Sequence, residues 1–203
     1  MKNGVRSLKK LCLIALPLVL FMAFVSGCGE LGQVDQGRVI EYDKAKNIAI
    51  LIQDKKADPG NPDYNTLPPH AYVLPTDPME MGAAPKAGYR MKIDTVKNNI
   101  TIFDPATQGF KVIDFKLIDK KENIDRENAL VKGKKFPEVN KEKKTVTLYS
   151  ARQKQLIVFS PPDQYLDLPE KTWDAGDEVR VYYKEEGKAL RFMNITRTDI
   201  FKK

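Results

Sequence analysis

From residue 37 onward the chain is made of short runs in which apolar and polar positions alternate, separated by small polar clusters. That period of two is the mark of half-buried strands joined by turns. Arg38-Val39-Ile40-Glu41-Tyr42 and Asn47-Ile48-Ala49-Ile50-Leu51-Ile52 flank the polar turn Asp43-Lys44-Ala45-Lys46 and read as a hairpin. Further strands are predicted at 71–74, 89–95, 99–103 and 110–118, and then at 137–139, 145–149 and 155–159. A final hairpin runs from Asp177-Glu178-Val179-Arg180-Val181 through the turn Glu185-Glu186-Gly187-Lys188. Residues 54–86 are dense in Pro, Asp, Asn and Gly, and because proline cannot donate to a sheet ladder most of this stretch reads as loop. At 119–135 the spacing of Asp119 and Glu122 ahead of Ile124, Leu130 and Val131, with Gly133 behind, predicts a short helix or charged linker.

The two sides of that linker share a rhythm. Ala87-Gly88-Tyr89-Arg90-Met91-Lys92-Ile93 and Ala175-Gly176-Asp177-Glu178-Val179-Arg180-Val181 both read Ala-Gly, two residues, apolar, basic, apolar, and a hairpin follows each. Five short strands bury a core only when their sheet closes on itself. The pattern therefore predicts a mainly β protein of two tandem small β-barrel units, OB- or SH3-like, at 37–118 and 136–203, joined by the helix or linker.

The amino terminus follows a different logic. Lys2, Arg6, Lys9 and Lys10 precede an apolar run from 11 to 24 that is shorter than the ~20 residues a membrane-spanning helix needs. A charged segment followed by a short apolar one is a signal peptide, here residues 1–27. The next residues, Val25-Ser26-Gly27-Cys28, resemble the lipobox of bacterial lipoproteins, which implies cleavage before Cys28 and a diacylglyceryl group on its thiol. Residues 28–36 then form a lipidated tether, and membrane lipid is a partner through Cys28. Gly29 stands where an Asp commonly retains lipoproteins in the inner membrane, so the expected location is the periplasmic face of the outer membrane.

Processing changes the charge. The chain carries a formal +7, but the signal peptide removes four of its 34 basic residues and none of its 27 acidic ones, leaving +3 on 176 residues. That is a mixed surface rather than a basic face, and it argues against nucleic acid as a partner. Of the two cysteines, Cys12 leaves with the signal peptide and Cys28 carries lipid, so no disulfide is expected. His70 is the only histidine, and the expectation drawn from this is no His/Cys zinc site, no Ser-His-Asp triad and no Cys-His pair within one chain.

With the lipobox, the 56–64 segment Lys-Ala-Asp-Pro-Gly-Asn-Pro-Asp-Tyr and the 173–183 stretch in view, the chain resembles a family of bacterial lipoproteins classed as a domain of unknown function. The likeness covers nearly the whole mature chain and implies no activity.

Candidate chemistry gathers in the long loop. Asp54, Asp58, Asn61, Asp63 and Asn65 crowd one proline-stiffened stretch, and such oxygens suit Ca²⁺, with Asp58, Asn61 and Asp63 as the metal-site candidates. Asp and Asn beside Pro and Gly also serve turns through local hydrogen bonds, and no other cofactor is expected. Tyr64, His70 and Tyr72, with Met79 and Met81, are candidates for a contact surface facing an envelope protein or a glycan. Trp173 joins them as an aromatic near a strand start, beside Tyr182 and Tyr183. The functional expectation is a non-enzymatic binding or scaffold module tethered to a membrane. The alternatives are a metal- or carboxylate-dependent hydrolase of cell-envelope polymers using Asp58, Asp63 or Glu80, and a purely structural envelope protein.

Overall fold

Hairpin turns of one kind recur along the chain and set where its strands begin and end. The computed structural model describes residues 31–57 and 62–198, so the signal peptide and lipobox, including Cys28, lie outside the described residues. Within them the strands are β1 (Gln33–Asp43), β2 (Ile48–Gln53), β3 (His70–Val73), β4 (Arg90–Asp94), β5 (Asn99–Asp104), β6 (Gly109–Asp114), β7 (Lys116–Lys121), β8 (Glu138–Asn140), β9 (Thr145–Ser150), β10 (Gln155–Ser160), β11 (Glu178–Glu185) and β12 (Lys188–Asn194). Five of the connections open on Asp43, Asp94, Asp104, Asn140 or Ser150. In each the side-chain oxygen accepts a backbone N–H two or three residues on. Each closes on a residue with positive φ, namely Asn47, Asn98, Gln108, Lys144 or Lys154. This is the four- to five-residue hairpin loop, with the polar opening residue supplying the local hydrogen bond.

β1, β11, β12, β3 and β2 close into a barrel in that order. All its neighbours are antiparallel except β12 and β3, which run parallel and join through the pair Lys188 and Val73. The interior holds Val39, Leu51, Tyr72, Val179, Val181 and Phe192. Between β3 and β11 the chain leaves the barrel and builds a second body. There the three-stranded sheet β4-β5-β6 and the four-stranded sheet β7-β10-β9-β8 share one core around Ile100, Ile113, Phe115, Val146, Phe159 and Trp173. Phe115 alone separates β6 from β7, so the chain changes sheet at a buried aromatic whose N–H donates to the Asn98 carbonyl at 2.9 Å. The outer side of β1 meets this second body through Ile40, Ile52, Tyr64, Tyr89, Met91 and Phe103. The described residues from Gln33 on form one compact unit.

Three features differ from the sequence reading. The barrel draws β1–β3 from the expected first half and β11–β12 from the second, so one body is nested within the other rather than following it. Strand pairing, not sequence order, closes the barrel, because β1 finds its second partner in β11. The segment read as a helix or linker starts inside β7, whose Asp119, Lys120 and Lys121 pair with β10, and 122–135 are bends and turns. Ladder formation outweighs a capping-box spacing there. The tether read as 28–36 gives way to β1 at Gln33, because Asp35 and Gln36 are buried polar residues that a hydrophobic pattern passes over.

Candidate functional site

Asp35 and Gln36 are neighbours on β1 and so point to opposite faces of the sheet. Inward, Asp35 is 4% exposed and collects three donors. Tyr72 donates its hydroxyl to Oδ2 at 2.5 Å, His70 Nδ1 meets the same oxygen at 2.6 Å, and Gln53 Nε2 donates to Oδ1 at 2.9 Å. Three convergent partners explain how a carboxylate is kept inside a small barrel. Burial first, and then the hydrogen bond to Asp35, pushes the Tyr72 hydroxyl well above its ordinary pKa.

Outward, Gln36 donates Nε2 to Glu178 Oε1 at 2.6 Å and accepts from Arg180 through Nη2 at 2.8 Å and Nε at 3.3 Å. Glu178 is itself buried and accepts the Tyr64 hydroxyl on Oε2 at 2.9 Å. The Arg38 guanidinium lies 4.4 Å from the centre of the Tyr64 ring, and its Nη1 donates to the carbonyls of Arg90 and Met91. Burial raises the Tyr64 pKa, and the nearby Arg38 cation opposes that rise.

Beside the outward network lies a pocket of about 350 Å³ lined by Val34, Gln36, Gln53, Asp54, Lys55, Ala57 and Arg180. Strands β1, β2 and β11 supply its floor, because Asp54 extends the β2 ladder by donating its N–H to the Gln36 carbonyl at 2.8 Å while Gln36 faces Arg180 across β11. It is a polar recess carrying both signs of charge on a rigid sheet.

The sequence candidates distribute unevenly around it. Tyr64 stands in the outward network and His70 and Tyr72 in the inward one, on the two sides of β1. Tyr72 is 2% exposed and packs in the barrel core against Tyr183 with ring centres 5.2 Å apart, so it is a structural residue rather than a contact face. Trp173 is fully buried between the sheets of the second body, which withdraws it from any contact surface. Asp58 and Asn61 lie outside the described residues. Asp63 holds a local turn, accepting from the N–H and the side-chain amide of Asn65. Among the described residues no group of three or more acidic or histidine side chains is placed to hold a metal ion. Glu80 is clamped by Arg191 at 2.5 and 3.1 Å, and that hydrogen bonding holds its carboxyl below the ordinary range.

Asp35, Gln36, Gln53, Glu178 and Arg180 escaped the sequence reading. The usable signal was in 33–38, where polar residues occupy both phases of a strand, Asp35 on one and Gln36 and Arg38 on the other.

Fold and site together define a mainly β protein: a closed five-stranded barrel, interrupted by a two-sheet body, that carries a polar recess on its outer face. The chain belongs to the family described as a domain of unknown function (DUF4881), whose model matches residues 30–203. No curated protein and no solved structure matches it.

Proposed function

We propose that this chain is a lipoprotein, tethered through acylated Cys28 on the periplasmic side of the membrane, preferentially the outer one, that works as a non-enzymatic binding module. The observation that carries the binding reading is the recess of about 350 Å³ over β1, β2 and β11, whose wall residue Gln36 is held by hydrogen bonds to Glu178 and Arg180. Ligands are held in concave sites where a few polar groups, fixed on rigid elements, set their orientation. An OB-type barrel is supported by the Greek-key order in which the third and fifth barrel strands, β3 and β12, are the parallel pair. Tethering is supported by the Val25-Ser26-Gly27-Cys28 sequence after a short apolar run. Two or more acyl chains are needed for a stable anchor.

Two measurements test this reading. Mass spectrometry of the amino-terminal peptide from cells is expected to find diacylated or triacylated Cys28, and Cys28→Ser to move the protein out of the membrane fraction; an intact, unacylated amino terminus refutes the anchor. A photo-crosslinking residue at Ala57, on the pocket wall, is expected to capture a ligand or partner in intact cells that the same residue at Val96, 91% exposed on a β4–β5 turn, does not. Equal capture from both positions refutes the binding reading.

A further inference from the structure

The strand register leaves one face of the barrel bare beside the start of β1. Val34 pairs with Tyr182 and Tyr182 with Arg191; Gln36 pairs with Arg180 and Arg180 with Met193. Residues paired across neighbouring strands share a face, so both rows stand on the outside of β1, β11 and β12, opposite the buried Asp35, Val181 and Phe192. The following row, Arg38 and Glu178, is closed over by Tyr64, whose hydroxyl reaches Glu178 and whose ring lies under Arg38.

The two open rows mix aliphatic, aromatic and cationic side chains. Val34 is 55% and Met193 40% exposed, Tyr182 is half-buried and Arg180 is exposed. Leu31, 94% exposed, precedes the first row, and Lys55 joins Val34 and Arg180 around the recess. Arg180 spends its hydrogen bonds on the neutral Gln36, and among the described residues no carboxylate stands within ion-pair distance of it or of Lys55. Arg191, by contrast, is neutralised by Glu80. Apolar and tyrosine side chains beside unpaired cations suit the headgroup layer of an anionic bilayer, where the cations meet phosphate and the rest enters the boundary with the acyl chains.

Covalent geometry brings this face to such a layer. Val34 lies six positions after Cys28, and an extended stretch of that length spans at most about 22 Å. Met193 stands two strands across from β1, about 10 Å away.

We infer that this face of the barrel rests on the surface of an anionic phospholipid bilayer, with Leu31, Val34 and Met193 in the interface and Arg180 and Lys55 on lipid phosphates. This rests on the reading of Cys28 as the anchor and adds which face the anchor brings down; the recess then opens toward the headgroups.

Fluorescence quenching on vesicles tests the inference with the full lipidated chain. Once Cys12 has left with the signal peptide and Cys28 carries lipid, a single introduced cysteine is the thiol that takes a label. An environment-sensitive dye at Val34→Cys or Met193→Cys is expected to lose emission to a nitroxide on the phospholipid headgroup, in vesicles of phosphatidylglycerol and phosphatidylethanolamine. The same dye at Val96→Cys, 91% exposed on the β4–β5 turn, is expected to keep its emission. Met193 is the decisive position, because it is far from Cys28 in the chain and only the fold brings it near. Raising the salt from about 0.05 to 0.5 M shortens the Debye length about threefold and is expected to weaken quenching at Met193. Arg180→Glu combined with Lys55→Glu, or vesicles of phosphatidylcholine alone, are expected to do the same. Lys55→Cys, on an exposed side chain, takes the place of Met193→Cys if that variant does not fold.

Emission at Met193 as unquenched as at Val96 overturns the inference. So does equal quenching at all three positions, or quenching at Met193 that salt, charge reversal and a neutral bilayer all leave unchanged. Flotation separates this from the anchor: a chain that floats with the vesicles but is unquenched at Met193 keeps the anchor and loses only the docking face, and a chain that does not float loses both.

Discussion

Gly88 and Gly176 pack backbone against backbone: a Cβ on Gly88 would lie 2.3 Å from the Gly176 nitrogen and 2.4 Å from the Asp174 carbonyl oxygen. A Cβ on Gly176, whose φ is +68°, would lie 2.3 Å from the Val39 carbonyl oxygen. The two segments are the crossings by which the chain leaves the barrel and returns to it, and they are laced to each other and to β1. Gly88 N donates to Val39, Arg90 N to Asp174, Asp177 N to Lys86, and Val39 N to Asp177. Lys86 and Asp174 also form an ion pair.

Gly88→Ala is therefore expected to destabilise the protein by about 3 kcal/mol or more, because rigid backbone on the other side cannot yield. Gly109→Ala, which meets nothing closer than 3.6 Å, is expected to change stability by about 0.5 kcal/mol or less. Chemical denaturation of both variants checks the contrast, and equal losses would remove the interlock as its cause.

The Asp35 cluster should behave as a unit. Tyr72→Phe removes one of three donors to a buried carboxylate and Asp35→Asn removes the charge they serve. Each single change is expected to cost about 1–3 kcal/mol, and the double variant markedly less than the sum. A double-mutant cycle by urea unfolding measures the coupling, and additivity within about 0.5 kcal/mol would show that the two groups act independently.

Stability should fall at alkaline pH. Burial holds the Tyr64 and Tyr72 hydroxyls in their neutral form, so both folded pKa values lie above the ordinary 10.0. As pH rises through 10 the unfolded chain releases these protons while the folded chain keeps them. The stabilisation is thus intact below that pH and is lost progressively above it. Denaturant midpoints followed from about pH 8 to 11 are expected to drop less steeply in Tyr64→Phe and in Tyr72→Phe than in the parent. Parallel curves for all three would contradict the assignment.

Trp173 is the only tryptophan and is fully buried, so native emission is expected to be blue-shifted and to move to the red on unfolding. Trp173→Ala should cost about 3–5 kcal/mol through the cavity it leaves. Trp173→Phe should cost less, since the indole Nε1–H has no partner among the described residues and its unpaired donor is lost with the ring. Circular dichroism melts of the two variants give the order, and a Phe variant as unstable as the Ala variant would contradict it.

Much of the fold was legible because its signals are local. The hairpin around Asp43–Asn47 is spelled out by a polar residue that caps its own turn and by the alternation on either side, and β2, β5, β9 and β10 appear within a residue of where the pattern puts them. The site was less legible. Tyr64 and His70 were singled out for lying in a long loop, yet what gives them their roles is Glu178 and Asp35, residues with which they share no sequence neighbourhood. Asp119-Lys120-Lys121 reads as the start of a charged linker because all three residues are charged, and it is strand because β10 lies alongside.

By itself the sequence determined the strand positions, the turn chemistry and the mainly β class, since each depends on residues a few places apart. Only the tertiary structure decided that β11 closes the barrel against β1, and that the two Ala-Gly phrases, so alike in sequence, meet face to face instead of marking equivalent places in two units. Pairing partners are chosen by which edges and faces can be buried together across the whole chain, and a buried polar residue declares itself only when its distant partner arrives.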